Sequence, residues 1–130
     1  DKEMYKKKIH YNDTDCGGVV YYANYLRYCE EARGEFFEDK GVSLKGLSEQ
    51  GIWFVVQNVN ITFKAPAKYG DLIQVETEIT KMKNVSIDFH HEIICEDKVL
   101  NISDAKCVCV DSSFKPCVMP DNVKNAFNKG

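Results

Sequence analysis

The chain has 130 residues, 44% of them hydrophobic and 28% charged, and a net charge of −3. That length reads as one domain over residues 1–130, with a core covering well over half of the unfolded surface, and the composition excludes disordered classes. The lysines, dispersed apart from the run in YKKKI, make no basic stripe of the kind a nucleic-acid binder needs. No apolar run approaches the length of a membrane span and none near Asp1 resembles a signal peptide, so a cytoplasmic location is expected. The six cysteines form no CxxC pair. They read as reduced, mostly buried thiols, and a zinc site is not expected because paired ligand spacings are missing.

In chain order, Tyr5, Lys7, Ile9 and Tyr11 alternate with Lys6, Lys8 and His10, as in a strand. A turn-like stretch, YNDTDCGGVVYYANY, covers residues 11–25. A helix is predicted from about Asn24 to Lys40, with Tyr25, Leu26, Cys29, Ala32 and Phe36 on one stripe and Arg27, Glu30, Glu31, Glu35 and Glu38 opposite. Gly41 is its natural stop. A loop is expected around SLKGLSEQG. Period-two alternation then marks strands through Val59, Ile61 and Phe63, through Ile73 to Ile79, and through Val85 to Ile93. Glu96 to Lys98 reads as a hairpin turn. The last strand runs to about Val110, with a bulge expected between Ile102 and Ala105, and Pro116 and Pro120 break up the tail. One helix cannot cover both faces of a sheet, so the expected α+β architecture is a curved antiparallel sheet wrapped on that helix. The face and edges left over favour a dimer or a larger assembly.

The stretch NDTDCGG admits several chemistries. A calcium loop would have glycine at its sixth position, Gly18, but its twelfth residue is Asn24 where a bidentate Glu is required, and a strand precedes it. A DxD metal site rests on two carboxylates that turns commonly carry. Asp13 and Thr14 read as turn residues bonding backbone N–H groups. Asp15 admits a second reading. It stands beside Gly17 and Gly18, which allow close approach to the backbone, and shortly before a helix with free N–H groups. A carboxylate beside such donors is minimal equipment for attack on a carbonyl. Composition and spacing leave turn and catalyst both open.

YNDTDCGGVVYYANYLRYCEEARGEFF resembles the signature of hotdog-fold acyl-CoA thioesterases of the 4-hydroxybenzoyl-CoA thioesterase type, most of all the bacterial ones associated with the Tol–Pal system. FVVQNVNITFKAPAKYGDLIQVETEI, AKCVCVD and KPCVMP follow the family's later strands in order. The resemblance implies a long helix gripped by an antiparallel sheet, dimerised into a larger continuous sheet. It implies Asp15 as catalytic acid, acting as nucleophile or on water. It assigns the Tyr22 backbone N–H to the thioester oxygen and places Tyr11 near the active site. Gly17 and Gly18 would border the substrate, and Ser86 matches a residue recurring near the family's active-site strand. In the Tol–Pal-associated relatives the place of Tyr22 is usually His, as in VVYHANY. His10, His90 and His91 read as strand residues with satisfied hydrogen bonds rather than substitutes for it.

The implied partners are an acyl-CoA or acyl carrier protein substrate and a second copy of the chain, as homodimer or homotetramer, with no cofactor beyond the coenzyme A of the substrate. A non-catalytic acyl-CoA or acyl-carrier binder is the alternative, since hotdog domains also serve as ligand sensors. It gives no reason for a carboxylate at Asp15. A hydratase would need a histidine paired with an acid near the helix, and none stands there.

Overall fold

A computed structural model describes residues 3–15 and 17–127; Cys16, one of the thiols expected to be reduced, lies outside the described residues. Strand β1 (Glu3–Lys8) leads through a short 3-10 turn at Tyr11–Asp13 into helix α1 (Asn24–Asp39). A second short helix α2 (Leu44–Glu49) follows, then strands β2 (Trp53–Phe63), β3 (Leu72–Met82), β4 (Ser86–Cys95) and β5 (Lys98–Val110), and a closing helix α3 (Asp121–Phe127). The strands form one sheet in the order β1-β3-β4-β5-β2, every pair antiparallel. This is the hotdog arrangement, a curved sheet holding the long helix.

Helix α1 forms because its apolar residues recur at helical spacing, and it buries Tyr25, Tyr28, Cys29, Ala32, Arg33, Phe36 and Phe37. It ends where Gly41 takes a φ of 79°, a left-handed conformation that glycine adopts without strain. Its buried face meets the alternate residues of the strands, among them Val75 of β3, Phe89 and Ile93 of β4 and Ala105 and Cys107 of β5. Burying each large apolar side chain here is worth roughly 1.5–3 kcal/mol. Phe36 meets Phe89 edge-on at 5.8 Å and Phe37 lies 5.1 Å from Phe54. The core falls into two clusters. One gathers Ile9, Val20, Tyr25 and Ala67 at the start of α1, and the other gathers Phe36, Phe37, Ile87, Met119 and Val123 at its end.

Five details depart from the sequence reading. His10 and Tyr11, read as part of the first strand, lie beyond its end at Lys8, His10 capping the 3-10 turn that Tyr11 begins. The SLKGLSEQG stretch is helical because the Ser43 hydroxyl accepts the Gly46 N–H at 2.9 Å and Leu47 is buried, a cap strong enough to offset the glycine. The tail beyond Pro120 closes as α3, pinned by buried Val123. The bulge falls at Leu100, since Ile93 opposes Asn101 while Ile94 opposes Val99. The apolar phase breaks further along only because Asn101 and Ser103 occupy inward positions. Leu26, expected inside, is 43% exposed, because it points toward β2, beyond which the sheet has no strand. Burial raises the thiols of Cys29, Cys95, Cys107 and Cys109, the last to about 12. All five described cysteines are free. No helix among the described residues is long and apolar enough to cross a membrane.

Candidate active site

The acidic loop is a small hairpin set against the mouth of α1. Thr14 bridges Val20, the Asp15 N–H donates to the Val19 carbonyl at 3.0 Å, and the Gly18 N–H donates to the Asp15 carbonyl at 3.1 Å. Gly18 closes the turn with a φ of 77°. At the tip, Asp15 is exposed, and its Oδ1 accepts the Gly17 N–H at 2.8 Å. No other side chain among the described residues pairs with it.

Two residues earlier, Asp13 has the opposite surroundings. It is buried; its Oδ2 accepts the His10 N–H at 2.8 Å and its Oδ1 accepts from Arg27 Nη2 at 2.7 Å. Burial raises its carboxyl, but the His10 N–H and the Arg27 guanidinium outweigh burial and hold it below the usual carboxylate range. Its backbone carbonyl accepts the Asn24 side-chain amide at 2.9 Å, tying the loop to the first turn of α1. Asp13 is the structural aspartate the sequence suggested.

The connection into α1 leaves donors free. Asn24 N–H donates to the Tyr21 carbonyl and Tyr25 N–H to the Tyr22 carbonyl. Among the described residues the Tyr22 N–H meets no acceptor. The Tyr22 ring is exposed and lies against Tyr21 and the edge of Phe63. Tyr11, 78% exposed, stands edge-on to Tyr69 at 5.8 Å. The loop is stitched to the β2–β3 connection by Val20 N–H to Ala67 carbonyl at 2.9 Å, Ala67 N–H to Tyr25 Oη at 2.8 Å, and Tyr69 N–H to Gly18 carbonyl at 3.1 Å.

Asp15, Gly17, Gly18 and Tyr22 therefore share one loop cluster, with Tyr11 joined to it through Tyr69. Ser86 does not join them within one chain. It begins β4 opposite Val108, buried, at the sheet end that carries the Phe37 cluster.

A group the sequence reading passed over lies under α1. Arg33 is 8% exposed and its Nη1 donates to His91 Nε2 at 3.0 Å; His91 Nδ1 then donates to Thr77 Oγ1 at 3.0 Å. Burial, with the neighbouring charge of Arg33, pushes the His91 imidazole down to about 3, so the ring is neutral. The available signal was spacing, since Arg33 lies four residues after Cys29 and four before Phe37 and so on the buried stripe. Beside Arg33 two adjoining cavities of about 430 and 470 Å³ run between α1 and β2, both bordered by Glu30, Arg33 and Val56. The groove follows α1, which runs opposite to β2, from Leu26 and Val59 to Phe37 and Phe54.

A five-stranded antiparallel hotdog sheet around one long helix defines a class. The chain belongs to the thioesterase-like superfamily, whose family model matches residues 9–127, and is a thioester hydrolase. Its similarities run the length of the fold. It is 35% identical to the acyl-CoA thioester hydrolase YbgC of Escherichia coli over 94% of this chain and 92% of that one. It is 37% identical to the acyl-CoA thioesterase YbgC of Haemophilus influenzae over 93% and 90%. The crystal structure of a 1,4-dihydroxy-2-naphthoyl-CoA thioesterase from Synechocystis superposes with a TM-score of 0.92 at 25% identity, covering 99% of this chain and 97% of that one.

Proposed function

We propose that this protein hydrolyses acyl-CoA thioesters to a free acid and coenzyme A, with Asp15 as the reacting carboxylate and the Tyr22 N–H as the donor to the thioester oxygen. The observation that carries the reading is that, among the described residues, an exposed carboxylate without a cation partner shares the loop cluster with an N–H that no acceptor uses. Charge develops on the thioester oxygen as the carbonyl is attacked, and a fixed amide stabilises it without reorganising. Asp15 either adds to the carbonyl carbon, expelling the thiolate and leaving an anhydride that water opens, or removes a proton from the water that adds. Both routes consume one water and release acid and thiol. The Tyr22 side chain is exposed, which fits a role for its backbone alone and explains how tyrosine can stand where the Tol–Pal-associated relatives usually have histidine.

The assembly proposed is a homodimer joined at β2. That strand ends the sheet with Trp53, Val56, Val59 and Phe63 exposed, an edge soluble proteins rarely leave open. A panel of acyl-CoA and acyl-carrier substrates, run on the wild type and on Asp15→Asn, tests the chemistry. Loss of hydrolysis in the variant supports it; unchanged hydrolysis overturns the mechanism, and no turnover by the wild type leaves a binder. Turnover in water enriched in oxygen-18 tests the anhydride route, because label enters Asp15 only when water opens an anhydride at its Asp15 carbonyl. Light scattering tests the dimer.

A further inference from the structure

We propose that the α1–β2 groove receives an acyl chain whose far end carries a carboxylate, and that Arg33 selects it. The inference rests on the thioesterase reading above and adds the substrate class. Arg33 is more than nine-tenths buried, yet no carboxylate among the described residues pairs with it. Its hydrogen-bond partner among the described residues, His91, is neutral. A guanidinium taken out of water without a counter-charge is costly, and it carries five donors, of which His91 uses one. The groove beside it is lined mainly by apolar side chains, among them Leu26, Val56, Val59, Ala105 and Phe54, with Arg27, Glu30 and Ser103 as its polar members. An apolar channel with one buried cation fits a hydrocarbon chain ending in an anion.

The register fits as well. The groove's lining begins at Leu26 and Val59, each four residues from the Tyr22–Phe63 ring contact, so a thioester held at the Tyr22 N–H would feed its acyl chain toward it along α1. Asn24 and Arg33 are nine residues apart, about 14 Å of helix, and the Arg33 side chain leans back toward the helix start. The span left is roughly 10 Å, the reach of an acyl chain of about eight carbons. Glu30, on the rim of both cavities, is the nearest competing carboxylate by position; it is exposed and forms no ion pair with Arg33.

Suberoyl-CoA and octanoyl-CoA, equal in length and differing only in the terminal carboxylate, provide the test. The wild type should favour suberoyl-CoA in kcat/KM by about tenfold or more, the worth of a charge-assisted hydrogen bond. Arg33→Met should erase that preference while Arg33→Lys, which keeps the charge, retains part of it. Equal or better hydrolysis of octanoyl-CoA by the wild type overturns the proposal without recourse to any variant. Titration of Asp15→Asn with both thioesters reads the groove apart from catalysis. Tighter binding of suberoyl-CoA there upholds the inference even if Asp15 proves not to be the reacting group. Binding of neither thioester, as when a second copy fills the groove, overturns it.

Discussion

Asp13 and Asp15 stand two residues apart in one loop and differ in almost everything that decides what a carboxylate does. Asp13 is sealed under Arg27 and the His10 amide, its charge consumed in holding the loop to α1. Asp15 is in water, with one intraloop bond to Gly17. A carboxylate already neutralised by a guanidinium has little left to give a reacting carbonyl. One that lacks a cation partner keeps its charge and its room to move. The same two-residue spacing that makes DTD look like a metal site on paper sends the two side chains to opposite environments, so the motif joins one structural residue to one exposed carboxylate, the one proposed to react.

The sharpest way to break this contrast is to exchange the roles. Asp15→Asn should lower kcat by about a thousandfold, within the range that removing a general base costs, while thermal melts shift by less than about 2 °C. Asp13→Ala should do the reverse. Losing hydrogen bonds to a charged, buried acceptor should cost about 2–3 kcal/mol in urea unfolding, with turnover per folded molecule reduced far less than in Asp15→Asn. Equal effects of the two substitutions on both measurements would sink the division of labour.

Acid sharpens the contrast further. Asp13 titrates in the fold below its unfolded value, so the stability it contributes is full above about pH 4 and is lost as pH falls through the depressed folded value. His91 acts in a different window. Its folded value is about 3, against about 6.5 unfolded, so below pH 6.5 the unfolded state binds a proton that the folded state refuses. Stability should therefore decline from pH 6.5 downward through His91 and steepen below pH 4 through Asp13. Unfolding free energies measured from pH 7 to pH 3 check this, and His91→Gln should flatten the upper window alone. The smallest effect concerns Gly17. A Cβ there would lie 3.3 Å from Asp15 Oδ1, so Gly17→Ala should displace the carboxylate slightly and lower kcat about threefold, with no change in melting.

The fold was readable where periodicity is strong. The helix bounds at Asn24 and the stop at Gly41, the strand alternations and the Glu96–Lys98 turn all follow from local pattern, and Glu96 and Asp97 indeed take positive φ. What was not readable depended on partners distant in sequence. Helix α2 is six residues long and rests on one serine cap and one buried leucine. Leu26 looked like core because a helical wheel does not know where the sheet ends. Ser86, brought forward by resemblance, lies at the other end of the sheet from Asp15 within a chain. Arg33 escaped notice because its charge argued for the outer face, while Cys29 and Phe37, one turn to either side, argued for the inner one; contacts from β3 and β4 decided it.

The stitching of the acidic loop to the β2–β3 connection has an engineering meaning. Its bonds run through Val20, Ala67, Tyr69 and Tyr25, none of which lines the α1–β2 groove. The proposed catalytic loop and the proposed acyl groove thus rest on separate residues. Leu26, Val56 and Val59 border the groove, the two valines also on the edge proposed to join the dimer, so Leu26 is the wall residue that libraries can rewrite first, while residues 64–71 form a template whose length must be left alone if the loop carrying Asp15 is to keep its shape.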